Sequence, residues 1–168
     1  MSTNPVRIFV DADACPVKSE VERVATRHKI QTYIVSNGGI RPSPNPLFKL
    51  VVVSNESDAA DIWISENTVE NDIVVTSDIV LAANIIEQGA RAIKPNGDIL
   101  DSKNIGEILA MRDLMHDLRA SDPFRQSVGK SFSRNDRSNF LNGLERLARI
   151  KVWGQSLFEI KQKALYVG

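Results

Sequence analysis

The sequence predicts an α/β fold, with a mostly parallel central sheet flanked by helices and a helical C-terminal part. Three observations carry this. Across residues 7–94, apolar runs of strand length alternate with stretches whose apolar residues recur at helical spacing, the pattern of a parallel sheet with helices on both faces. After residue 103 the strand-like runs stop and two long helical patterns follow. The length, 168 residues, suits one domain with one real core.

The elements follow in order. Arg7–Val10 is the first strand, a β-branched and aromatic run. Pro16 suits a first helical position, where its missing N–H costs nothing, and Val17, Val21, Val24 and Ala25 follow at helical spacing. Thr32–Val35 is the second strand, and "SNGGIRPSPNP" at 36–46 a long loop. Leu50–Val53 is the third strand. Asp58 then stands where it can cap a helix carrying Ala59, Ile62 and Trp63. Ile73–Thr76 is the fourth strand. Asp78 can cap the next helix, with Val80, Leu81, Ala83, Asn84 and Ile85, which Gly89 closes. Ala90–Lys94, a Pro-Asn-Gly turn at 95–97 and Asp98–Leu100 read as a hairpin at the sheet edge. Helices at Ile105–Leu118 and Arg137–Ile150 flank the polar, basic loop "SDPFRQSVGKSFSRND". Residues 1–150 form the domain. Residues 151–168 are a tail of mixed signals.

Composition is that of an ordinary folded chain, 42% hydrophobic and 25% charged. No apolar run approaches the roughly 18 residues of a membrane span, and "MSTNPVRIFV" lacks the basic and apolar regions of a secretory signal. The single cysteine, Cys15, excludes an internal disulfide and cannot alone build a zinc site. These features suit a cytoplasmic chain without membrane partners; they leave the oligomeric state open, a homodimer included. Charge is unevenly spread. Residues 1–102 hold 9 Lys/Arg against 14 Asp/Glu, and residues 103–168 hold 12 against 7. That fits an acidic site followed by an anion-facing surface. Arg112, Arg119, Arg125, Lys130, Arg134 and Arg137 are the candidate phosphate contacts. Against that stands an ordinary solvated face.

The acids fall in a pattern. In a parallel sheet all strand C-termini share one edge, the edge at which open α/β sheets bind ligands. Asp11 and Asp13 follow the first strand, Asp58 and Asp61 the third, and Asp78 the fourth. Glu56 adds to the field, and no lysine or arginine lies among them. Clustered carboxylates are costly unless protonated or paired with cations. An oxygen-rich set of this kind suits Mg²⁺ or Mn²⁺, which in pairs support phosphodiester cleavage. Each residue also has a plain reading: Asp58 and Asp78 as helix caps, Asp13 as the cap of the helix near Pro16, Asp61 as a solvated helix face. Asp11, on the end of an apolar strand, is the hardest to dismiss. Cys15 reads as a small buried thiol, since His28 and His116 lie elsewhere in the chain. Trp63 and Trp153 read as packing residues. Ser36-Asn37 either touches a ligand at this edge or forms a plain turn.

Several motifs together resemble a known family. "DADACPVK" at 11–18, "DAADIWI" at 58–64, "VVTSDIVLAA" at 74–83, "NI" at 104–105 and "DRSNFL" at 136–141 resemble the YaiI/YqxD family of uncharacterised bacterial proteins, over roughly residues 6–148. That family is similar to PIN-like nuclease domains. The resemblance implies a PIN-like fold, Mg²⁺ or Mn²⁺, and RNA as substrate. It makes Asp11 the first-strand metal ligand, Asp78 the "T-x-D" ligand, Asp58 or Asp61 the middle acid, and Asp13 a supporting ligand. The family's "GGP"-like stretch is replaced here by "SVGKSF" at 127–132.

Three rival readings share these residues. A haloacid-dehalogenase-type phosphatase also opens with D-x-D, which makes Asp11 a nucleophile and Asp13 a general acid; "YIVSN" at 33–37 resembles its second motif. Cys15 stands where that pattern has Thr or Val, and no lysine is evident before the last acidic motif. A receiver-like phosphoacceptor shares Thr76 and Lys94-Pro95. A non-catalytic RNA-binding module needs only the basic residues.

Overall fold

The structure is a computed structural model that describes residues 5–121 and 131–149. The chain runs through β1 (Arg7–Asp11), a 3-10 turn (Ala12–Ala14), α1 (Lys18–His28), β2 (Gln31–Ser36), β3 (Phe48–Val52), α2 (Ala59–Asn67) and β4 (Ile73–Val75). It continues through α3 (Ile79–Glu87), β5 (Arg91–Ile93), β6 (Ile99–Leu100), α4 (Ile105–Ser121) and α5, residues 134–149. The six strands lie in the order β3-β2-β1-β4-β5-β6. All neighbours are parallel except β5 and β6, which form the antiparallel edge hairpin that the Pro-Asn-Gly turn predicts.

Alternation along the strands sorts the core into two layers. Ile8, Val10, Ile34, Ile73, Val75 and Ile93 point to one face. There they meet Val17 just before α1, Val21 and Val24 of α1, and Phe140, Leu144 and Leu147 of α5. Phe9, Val35, Val74 and Ala92 point to the other, against Ile64 of α2, Leu81 and Ile85 of α3, and Ile108 and Leu109 of α4. These strands are buried on both faces, which is why they read as near-continuous apolar runs. Trp63 packs against Phe9 and Tyr33, with ring centroids 5.9 and 6.1 Å away.

Several boundaries differ from the sequence reading: β3 begins at Phe48 rather than Leu50, β5 is trimmed to Arg91–Ile93, α5 begins at residue 134 rather than 137, and the start of the first helix moves. α1 begins at Lys18, not Pro16. The amide of Cys15 bonds back to the carbonyl of Ala12, closing the 3-10 turn, and Pro16-Val17 form a second turn. Val17 is fully buried, so its place is set by the core rather than by the helix. The long loop is held to α1 by Asn45 Nδ2, which donates to Thr26 Oγ1 at 3.0 Å. No helix among the described residues is long and apolar enough to cross a membrane. Residues 151–168 lie outside the described residues.

Candidate functional site

The strand order reverses between β1 and β4. The chain leaves β1 for β2 and β3, then crosses back through α2 to lay β4 on the other side of β1. Such a reversal opens a crevice at the carboxyl ends of the two strands, the ligand-binding position of open α/β sheets. Asp11 is the last residue of β1, and Thr76, Ser77 and Asp78 follow β4 directly.

Thr76 joins the two strand ends. Its buried hydroxyl donates to Asp11 Oδ2 at 3.1 Å and accepts the Asp78 amide at 3.0 Å. Asp78 then caps α3, its Oδ1 accepting from the Val80 and Leu81 amides at 2.9 and 3.1 Å. The cap predicted from sequence is therefore present, and the same carboxyl also acts on Asp61, raising its pKa. Capping and membership of the acidic group coexist in one residue.

Asp61 is the most perturbed acid here. Its carboxyl is pushed from an ordinary 3.8 up to about 7, first by burial, then by the hydrogen bond to Asp78, then by the charges of Asp78, Asp11 and Asp58. Asp11 is also raised, mainly by burial; the Thr76 hydroxyl opposes this, and the charges of Asp13 and Asp78 add to it. Asp78 thus acts on both Asp11 and Asp61, and Asp11 acts on Asp61, across three separate elements.

Two caps predicted from sequence are not formed. Asp58 holds the N-cap position of α2 in a left-handed conformation, φ 70°, and its side chain bonds to no helix amide. Its exposed carboxylate is left to the solvent side of the site. Asp13 does not cap α1. Its Oδ1 accepts from Ser36 Oγ at 2.9 Å and from the Asn37 amide at 3.2 Å, which ties the 3-10 turn to the end of β2. Ser36-Asn37 therefore hold Asp13.

A cleft of about 460 Å³ opens beside this group, with Asp58, Asp61, Asp78 and Glu66 on its walls and Arg112 of α4 among them. Asp11 and Asp13 do not line it. Hard carboxylate oxygens of this kind are the donors that Mg²⁺ and Mn²⁺ take. As the side chains stand, no three acids, histidines or cysteines among the described residues are arranged to hold an ion together. The donor chemistry fits; the carboxylates would have to turn toward a common point.

The basic residues are dispersed. Arg112 lines the cleft and sits 3.2 Å from Asp113. Arg119 is exposed, its Nε donating to the Met115 carbonyl. Arg134 is exposed at the start of α5. Arg137 pairs with Glu20 at 2.9 Å, donates to the Pro16 carbonyl and lies over the Phe132 ring, so it fastens α5 to α1. Arg125 and Lys130 lie outside the described residues. Cys15 is buried, and burial pushes its thiol up. His28 pairs with Glu145 at 2.9 Å at the far end of α1. Thr76 is the residue that the sequence reading undervalued; its signal was a hydroxyl at a strand end, two places before an acid.

Residues 9–149 match the family model described as "Uncharacterized BCR, YaiI/YqxD family". The chain is 61% identical over 142 residues to a UPF0178 protein of Roseobacter denitrificans, covering 84% of this chain and 94% of that one. It is 49% identical over 140 residues to a UPF0178 protein of Gluconacetobacter diazotrophicus, covering 83% and 90%. It is 47% identical over 149 residues to one of Agrobacterium fabrum, covering 89% and 96%. No solved structure matches it.

Proposed function

The chain belongs to the YaiI/YqxD family, and on that premise we propose that it is a metal-dependent phosphodiesterase that cleaves RNA at the β1/β4 crevice. The observation that carries this is the meeting of Asp11, Asp61 and Asp78 at one sheet edge, where burial and the neighbouring acids raise Asp11 and hold the Asp61 proton to about 7. Acids so placed beside an open cleft destabilise the metal-free fold, and a divalent cation relieves them. Perturbed carboxylates in a cleft are a mark of functional sites.

Asp11, Asp61 and Asp78 would hold Mg²⁺ or Mn²⁺, with Asp58 at the rim. The ion supplies Lewis acidity at the phosphate and a nucleophilic water at neutral pH. The chain's own part is positional. Thr76 fixes Asp11 against the start of α3. Asp61 exchanges its proton near neutrality, so it can release it when a cation arrives. Arg112 offers a guanidinium to a phosphate oxygen across the cleft. The phosphatase alternative is less favoured, because it needs Asp13 free to donate a proton, and Asp13 is engaged by Ser36 and Asn37.

The experiment is Mn²⁺-dependent cleavage of a mixed RNA panel beside turnover of an aryl phosphate, with four melts of the parent and Asp78→Asn, chelated and Mn²⁺-loaded. Asparagine caps a helix about as well as aspartate, so the chelated variant should match or exceed the parent. At 100 times its Kd, Mn²⁺ should add about 2.7 kcal/mol to the parent and little to the variant. An equal Mn²⁺ shift in both removes Asp78 from the site. RNA retained without cleavage favours the binding module, and aryl phosphate turnover the phosphatase.

A further inference from the structure

α4 carries an apolar stripe that nothing among the described residues covers. Its first turns rest on the core through Ile105, Ile108 and Leu109. Beyond them every residue from 110 to 121 is exposed. Met111, Leu114, Met115 and Leu118 are 58, 52, 44 and 37% exposed. Their spacing sets all four on one side of the helix. Contiguous apolar patches facing water mark interaction surfaces.

The charges beside the stripe say what fits it. In heptad terms Met111 and Leu118 fall at d, Met115 at a, Arg112 and Arg119 at e, and Glu107 at g. One flank is basic and the other carries an acid. In two such helices running side by side in the same direction, each g position faces an e position of the other. Glu107 then meets Arg112 of the second copy, and the contact occurs twice by symmetry. Running in opposite directions, the helices would set Arg112 against Arg119 of the second copy, and like charges reject that pairing.

We propose that the α4 stripe seats a second copy of this chain about a two-fold axis parallel to the helix. Met111, Met115 and Leu118 form the seam and Glu107–Arg112 pairs flank it. Because Arg112 also lines the acidic cleft, the second copy stands at the mouth of that cleft. The inference does not depend on the phosphodiesterase reading.

The test uses full-length variants with one added cysteine each: Met111→Cys, Met115→Cys and Leu118→Cys, with Asp113→Cys on the outer face as control and the parent to account for buried Cys15. In the parallel arrangement each seam position meets its own copy, so all three should form disulfide-linked dimers under mild oxidation and the control should not. The parent should have a dimer's mass by light scattering, and Met115→Asp should raise the dissociation constant on the order of 100-fold, as loss of a central anchor does. Cross-linking at one position alone would overturn the parallel arrangement. A monomer in which 111–118 resist amide exchange would mean that the chain's own remaining residues cover the stripe. A monomer without that protection would mean that water does. Either result overturns the proposal.

Discussion

The amino edge of the sheet and the β1/β4 crevice treat their acids in opposite ways. At the amino edge each buried or half-buried acid has a base. Asp72, 1% exposed, takes the Arg7 guanidinium at 2.7 Å, and Glu145 takes Arg27 at 2.6 Å and His28 at 2.9 Å. Hydrogen bonding to His28 and the positive charges of His28, Arg27 and Arg149 outweigh burial and hold the Glu145 carboxyl below its usual range. In the β1/β4 crevice Asp11 and Asp61 are raised instead, and the charges that act on them are acids; Glu20, outside the crevice at the start of α1, is paired with Arg137. One fold thus contains both solutions to a desolvated carboxylate. Pairing at one edge fastens the structure; crowding in the crevice leaves it a little less stable.

The contrast breaks most visibly if charges are removed from each region in turn. Arg7→Met should destabilise the fold by about 3 kcal/mol, the low end for stranding a buried ion, since Asp72 would keep only the Val69 amide. Denaturant titration measures this, and a loss under about 1 kcal/mol would mean that the backbone bond suffices. Asp61→Asn should do the reverse in chelator and raise the melting temperature; a lower one would dissolve the contrast.

A pH series sharpens the same comparison. The metal-free contribution of Asp61 is present in full below its ordinary 3.8 and is lost as pH rises through about 7, because its folded pKa is raised. Glu145 has a depressed folded pKa, so its contribution is present above its ordinary 4.5 and is lost as pH falls through the folded value. Melts from pH 3 to about 8 should therefore show the two regions acting on opposite limbs. Asp61→Asn should flatten the upper limb and Glu145→Gln the lower. Identical profiles in the two variants would show that these groups do not set the curve.

The smallest effect is the most local. Thr76→Val deletes the hydroxyl that bonds Asp11 and receives the Asp78 amide, at a cost of about 1 kcal/mol. Thr76→Ser should restore most of it. If valine and serine melt alike, the hydroxyl does not join the strand ends.

The sequence made one region more legible than the other. Strands buried on both faces announce themselves as apolar runs, and acids directly after Val10 and shortly after Val75 are visible without coordinates. The Asp78 cap was legible because capping is a local matter. Asp58 was misread for a related reason: its position before α2 is right, but a φ of 70° turns its side chain away from the helix amides, and no neighbouring residue type signals that. Asp13 was misread because its partners, Ser36 and Asn37, lie at and just past the end of another strand. The paired edge was invisible, since Arg7 and Asp72 meet only through register across 65 residues. Choosing Asp61 as the acid joined to Asp78 needed the orientation of the first turn of α2, which spacing alone leaves open.

The reversal of strand order also has a consequence in time. β1, β2 and β3 can pair from neighbouring stretches of chain, but β4 must return past them to reach the free side of β1, a closure of 65 residues between Asp11 and Thr76. Distant pairings of this kind form late. While the chain emerges from the ribosome, Asp11 waits at the end of a half-built sheet with Asp13 beside it but without Asp78. The full crowding comes into being only when β4 docks and brings Asp78, so it opposes the closing step of folding, and on the proposed reading a free cation in the surrounding water would be an accelerant of that step.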